Sequence, residues 1–136
     1  MYASQGYLAT LPSFLLYFAA ALILFGLFLL IYLFVTPHRE LSLIRQGNTA
    51  AAASLSGALI GFVLPLASVI QSSLSVLDML VWGGVALVVQ VLVFVVLRLG
   101  FPELVRQIEE DHLGPALMLA GFSVAVGMLN AACMTY

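Results

Sequence analysis

Long uncharged apolar runs separated by short polar breaks are the first pattern in this chain. Residues 14–35 contain no charge; at roughly 1.5 Å per residue such a helix covers about 33 Å, slightly more than the hydrocarbon core of a bilayer. A second run, 49–70, opens on Gly47-Asn48-Thr49 as break and cap, and meets Pro65 near its far end. A third, about 79–97, has Gln90 as its one strongly polar interior residue. The fourth, about 113–134, carries Pro115 in its first turn, where a missing N–H costs little. The pattern predicts an all-α, polytopic membrane protein with four transmembrane helices.

Two links are amphipathic. The stretch from Thr36 to Gln46 and that from Phe101 to His112 each lead with proline and an early acid, and Leu41 with Ile44, or Leu104 with Ile108, forms an apolar stripe. Both read as short interfacial helices, with proline at the first helical position and the stripe resting on the membrane surface. The link from Gln71 to Asp78 is brief and nearly neutral, as a tight hairpin turn would be. Arg39, Arg45, Arg98 and Arg106 all flank the proline-led loops. The positive-inside rule therefore places those loops in the cytoplasm and both termini on the periplasmic side. Tyr2, Tyr7, Tyr17, Trp82 and Tyr136 fall towards one interface, Tyr32 and Phe101 towards the other.

The halves echo one another. Apolar span, proline, amphipathic helix, break and small-residue span occur in 1–75 and again in 76–136. Pairing Asn48-Thr49-Ala50-Ala51 with His112-Leu113-Gly114-Pro115 aligns Gly57 with Gly121 at an offset of about 64, with one gap. With two spans per unit, the repeats are parallel, related by an axis along the membrane normal.

Composition sharpens the class. Hydrophobic residues make up 64% of the 136 positions and charged residues 7%, more apolar surface than a soluble domain of this size can hide. A formal net charge of −2 offers no basic footprint for nucleic acid. Cys133 is the only cysteine, so neither an intramolecular disulfide nor a multi-cysteine metal site arises. The residues before the first run lack a basic n-region and the run is too long for a signal core, which predicts a retained span.

Few side chains carry candidate chemistry. Ala53, Gly57, Gly61 and Pro65 recur every four residues, a helix-packing face whose neighbour is either the last span, through Ala116, Ala120 and Gly121, or another subunit. Gln90 and Asn130 are amides deep in lipid and should turn inward, where they can bond each other. Asn48 and Ser54 complete the intramembrane polar set. Asp78 reads as the N-cap of a helix opened by Met79, or as a pore-mouth acid. The run Glu109-Glu110-Asp111-His112 points in several directions on a helix and reads as a solvated face and cap. No G-x-S-x-G, H-E-x-x-H or phosphate-binding loop occurs. A non-enzyme with no cofactor and no metal is expected.

Several blocks in order carry a resemblance: Thr36-Pro37-His38, Gly47-Asn48-Thr49-Ala50-Ala51, Trp82-Gly83-Gly84-Val85-Ala86-Leu87 with Gln90, and Asn130-Ala131-Ala132-Cys133-Met134-Thr135. Together they resemble the YjfL-like bacterial inner-membrane proteins, a domain-of-unknown-function family. The resemblance implies a multi-pass protein of the bacterial plasma membrane with two copies of a two-span unit. It also implies a neighbourhood of phage-shock-type membrane-stress proteins and ATP-grasp enzymes, hence envelope maintenance, and supplies no catalytic residues. The sequence departs from strict repetition where His112-Leu113-Gly114-Pro115 stands for Asn48-Thr49-Ala50-Ala51. The resulting expectation is a membrane module that forms a homo-oligomer or docks envelope partners through its cytoplasmic loops. The alternative is an oligomeric small-ion or small-solute channel or transporter lined by Gln90, Asn130 and Asp78.

Overall fold

The structure, a computed structural model, describes residues 2–36 and 40–134, with the side chains of residues 2–7 left out. Among the described residues six helices follow in order: α1 (Tyr2–Val35), α2 (Glu40–Arg45), α3 (Thr49–Ser72), α4 (Val76–Gly100), α5 (Leu104–Glu109) and α6 (Leu113–Cys133). Four of them, α1, α3, α4 and α6, are long and apolar enough to cross a membrane. The predicted spans are all present, with shifted ends. Helix α1 runs back through Pro12, well before residue 14, and its spanning stretch is Leu8–Val35. Helix α4 begins at Val76 rather than Met79 because Ser75 is the N-cap: its hydroxyl accepts from the Asp78 N–H at 3.2 Å.

Helices α3 and α6 form the central pair and run parallel. Contacts pair positions that rise together along both chains: Asn48 with Ile108 at one end, Gly57 with Ala120 and Gly61 with Gly127 in the middle, and the Ser68 hydroxyl with the Ala131 carbonyl, 3.1 Å away, at the other end. The approach is backbone to backbone. A Cβ added at Gly57 would strike the Ala120 Cα and Cβ, and one at Gly127 would strike the Gly61 carbonyl. Small residues permit this contact, which replaces the hydrophobic drive that lipid cancels.

Helix α4 packs against both members of the pair, and α1 packs mainly on α4 and α3. Aromatic side chains fill that second seam. Phe28 stacks on Phe62 with ring centroids 4.6 Å apart, and Tyr32 meets Phe94 edge-on at 5.6 Å. Leu24 lies in the space left by the missing side chain of Gly83. Tyr32, in the last turn of α1, is thus buried in the bundle.

The second short helix, α5, differs from the expected picture. Pro102 lies in the turn before α5, which the Leu104 N–H closes on the Phe101 carbonyl at 3.0 Å. Leu104 and Ile108 are fully buried against the bundle instead of resting on lipid, because α5 folds back over the ends of α3, α4 and α6. Pro37 and the Arg39 beside α2 lie outside the described residues.

Both short helices end alike. After α2, the Gly47 N–H bonds the Ile44 carbonyl and the Asn48 N–H the Leu43 carbonyl, each at 2.9 Å. After α5, Asp111 bonds Ile108 at 3.0 Å and His112 bonds Gln107 at 2.9 Å. Each is a Schellman motif, whose first residue beyond the cap adopts a left-handed conformation. Gly47 has φ +89 and Asp111 φ +61; glycine does this freely, whereas aspartate needs local compensation.

Of the four small residues expected to pack, Gly57 and Gly61 lie in the α3–α6 seam and Ala53 is half-buried at its edge. Gly121 does not pack within the bundle: it is exposed, and a Cβ there would meet nothing. The parallel pairing sets Gly57 against Ala120, which turns the next residue outward. Gly57→Leu or Gly127→Leu should therefore destabilise the bundle by about 3 kcal/mol or more through overpacking, while Gly121→Ala stays within about 0.5 kcal/mol. Equilibrium unfolding in mild detergent with a denaturing detergent titrant measures both.

Candidate functional site

The densest polar contacts lie where the two corners meet. Asn48 caps α3, its Oδ1 accepting from the Ala51 N–H at 2.8 Å. Its Nδ2 donates to the carbonyls of Ile108 at 2.9 Å and Glu109 at 3.2 Å, the last turn of α5. Asp111 answers from the other corner, its Oδ1 accepting from the Ala50 N–H at 2.8 Å. Two side chains thereby satisfy two orphan N–H groups of α3 and the orphan Glu109 carbonyl of α5, and add a second bond to the Ile108 carbonyl, which already accepts from the Asp111 N–H. The bond to Ala50 is the compensation that holds Asp111 in its left-handed conformation, and its carboxylate stands at the positive end of α3.

Charges ring this clamp. Arg106 pairs with Glu103 at 2.9 Å and lies 3.9 Å from Glu110, and His112 lies 3.4 Å from Glu110, all of them solvent-exposed. Such pairs contribute little to stability. Arg45 and Arg98 are exposed in the last turns of α2 and α4, where a cation suits the helix dipole. By contrast Glu40, at the start of α2, is 1% exposed and within electrostatic reach of the Tyr32 hydroxyl. Among the described residues it is the one enclosed charged side chain.

The intramembrane amides do not meet. Gln90 is 2% exposed and directs its Oε1 at Gly61, beside the Ser123 carbonyl, yet neither of its amide atoms has a hydrogen-bond partner among the described residues. The Asn130 Nδ2 also lacks one. Gln90 turned inward as expected, but toward a face from which helix geometry has already withdrawn the backbone donors. Ser54 bonds back to the Ala51 carbonyl of its own helix at 3.0 Å. Asp78 is engaged at the start of α4, where its Oδ2 accepts from the Leu74 N–H at 3.2 Å; the cap itself is Ser75.

Sequence reasoning read Asp111 within a run taken as a solvated face and cap, without the helix it serves, and missed Gly127 and Glu40. The offset of the halves places Asp111 over Gly47, a position that demands a left-handed backbone, so that signal was present. Nothing comparable marks Glu40. The clamp predicts an ordered series: Asn48→Ala loses a cap and two inter-corner bonds and should cost about 2 to 4 kcal/mol. Asp111→Asn should be nearly neutral, and Asp111→Gly should cost less than Asp111→Ala, because glycine removes the backbone penalty while alanine keeps it. The same detergent unfolding measurement ranks the four variants.

Comparison with known proteins agrees with the geometry. A family described as Domain of Unknown Function (DUF350) matches residues 6–134. The UPF0719 inner membrane protein YjfL of Escherichia coli K12 is 40% identical over 129 residues, covering 95% of this chain and 98% of that protein. Its counterpart in Escherichia coli O157:H7 matches to the same extent. No solved structure matches. With the family matched over nearly its whole length and four helices able to cross a bilayer, this chain belongs to the DUF350 family of multi-pass membrane proteins.

Proposed function

We propose that this chain is a non-enzymatic module of a bacterial inner membrane, built from two parallel two-span units, that assembles with copies of itself and docks envelope-maintenance partners on its two corners. The observation that carries the reading is the clamp. Asn48 and Asp111 lock the corners into one platform, with the exposed charges of Arg45, Glu103, Arg106 and Glu110 around it. Rigid, charged and exposed, such a platform suits recognition of a soluble or juxtamembrane partner, membrane-stress proteins among them. The arginines put this platform on the cytoplasmic side by the positive-inside rule, with both termini periplasmic. The matching hydrogen bonds that end α2 and α5 support descent of both halves from one unit.

Three measurements test the proposal. Tags inserted after Gln46 and after Gln107 should both be reachable from the cytoplasmic side and from no other. In mild detergent the protein should run larger than its 14.5 kDa monomer. A photo-crosslinking residue at Arg45 or Arg106 should capture a partner, with capture falling several-fold on Arg106→Glu; a strict monomer that crosslinks to nothing there would end the proposal.

A second reading, an oligomeric channel or transporter, is favoured by one observation, the unpartnered Gln90 amide. Under the module reading that amide is a cost, so Gln90→Leu should hold or raise stability by about 1 kcal/mol. Liposomes carrying the protein should pass no more solute than empty ones. Flux that Gln90→Leu abolishes would reverse the order of the two readings.

A further inference from the structure

The parallel pair α3–α6 has two long grooves, one on each side. Helix α4 occupies one of them, and Gln90 from its middle reaches Gly61 beside Ser123. The other is vacant. It holds about 600 Å³ and is lined by Ala53, Gly57 and Ile60 of α3 and by Leu117, Gly121 and Ala125 of α6, with no residue of α4 or α1. It is apart from the corner clamp and from the buried amides.

The way the two halves correspond says what belongs there. The ends of α2 and α5 repeat their hydrogen bonds at an offset of 64, from Gly47 to Asp111 and from Asn48 to His112. By that offset α1 is the counterpart of α4. A two-fold axis between α3 and α6 that carries α4 into the first groove carries α1 into the second. Yet α1 of the same chain lies elsewhere, on α4 and on the far side of α3, where Phe28 stacks on Phe62. Its opposite face is left to lipid as a row of bulky side chains: Leu22 is 54% and Leu30 69% exposed.

We infer that the vacant groove receives α1 of a second copy of this chain, each copy donating its outward α1 face to the α3–α6 groove of the other. The inference rests on the self-assembly proposed above and specifies its interface. A two-fold exchange of this kind closes as a dimer. Attraction comes from close packing of large side chains against small ones, since lipid cancels any hydrophobic difference. Depth also fits. Gln90 lies level with Gly61, and on the α1 side of the gap, where Pro37 answers Pro102 and Val35 answers Gly100, its counterpart is Phe25. Leu22 and Leu30, roughly a turn to either side, then fall near the level of Met128 and Gly121, and both of those line the groove.

Cysteine pairs test this in native membranes of a Cys133→Ser background. One copy carries Leu30→Cys and the other Gly121→Cys; in a second experiment the pair is Leu22→Cys with Met128→Cys. A disulfide forms only if the Cα atoms approach within roughly 7 Å. Both pairs should yield an oxidised dimer of the two differently tagged copies, at least tenfold above a control pairing Leu30→Cys with Leu92→Cys, which faces the other side of α6. Uncrosslinked Gly121→Leu/Ala125→Leu should lose the dimer while its monomer keeps the wild-type unfolding midpoint, because the fold leaves that space empty. A wild-type dimer that survives Gly121→Leu/Ala125→Leu, or that crosslinks as well through Leu92→Cys, overturns this interface and leaves self-assembly standing. A strictly monomeric wild type overturns both. Crosslinking of the groove cysteines to a different protein overturns the second copy as occupant.

Discussion

The constraint on which the rest of the structure depends is the approach of two backbones, α3 and α6, at Gly57, Gly61 and Gly127. In water a bundle is held together by apolar side chains leaving solvent. In lipid that term is nearly absent, and what remains is contact density and hydrogen bonding. Glycine maximises contact by removing the atoms that would hold the helices apart. Once α3 and α6 touch along their length, their N-termini are forced together, and the groups at those ends must be satisfied by each other.

The corner clamp follows from that geometry. Three orphan backbone groups, two N–H of α3 and the Glu109 C=O of α5, come within reach of Asn48 and Asp111. Left unpaired in a buried corner, each would cost about 1 to 3 kcal/mol. Burial of Leu104 and Ile108 has the same origin. The corner must cover the ends of α3, α4 and α6, and the apolar stripe that a surface helix would turn to lipid is used as a lid instead.

Much of this was legible in the sequence, and the exceptions have physical causes. The four spans are dictated by runs without charge, a signal that survives any rearrangement of neighbours. Their ends were less legible because capping is a choice among adjacent candidates: Ser75 and Asp78 both suit the start of α4, and only the conformation shows that one caps and the other accepts from Leu74. The seam was half legible. A four-residue stripe on α3 announces a packing face but not the register of its partner, and a parallel pairing that sets Gly57 against Ala120 leaves Gly121 facing outward. Sequence periodicity describes one helix at a time; register is a property of two. The stripe of α5 was misplaced for a related reason, since an amphipathic pattern states which side is apolar and not whether lipid or protein covers it.

The differences between the two corners carry the final step. Taken as diverged copies of one unit, they no longer hold equivalent residues at the two critical positions: Gly47 and Asn48 in the first, Asp111 and His112 in the second. Asparagine in the first caps its own helix and reaches across, whereas histidine in the second makes no side-chain cap. Aspartate in the second tolerates the left-handed backbone that glycine takes in the first, and in exchange supplies an acceptor to the first corner's helix. Each corner therefore provides one side chain of the clamp, and each side chain bonds backbone groups of the other corner. Because both side chains of the clamp are spent on the ends of α3 and α5, the clamp binds the corners to one another and takes up none of the outer faces of the bundle.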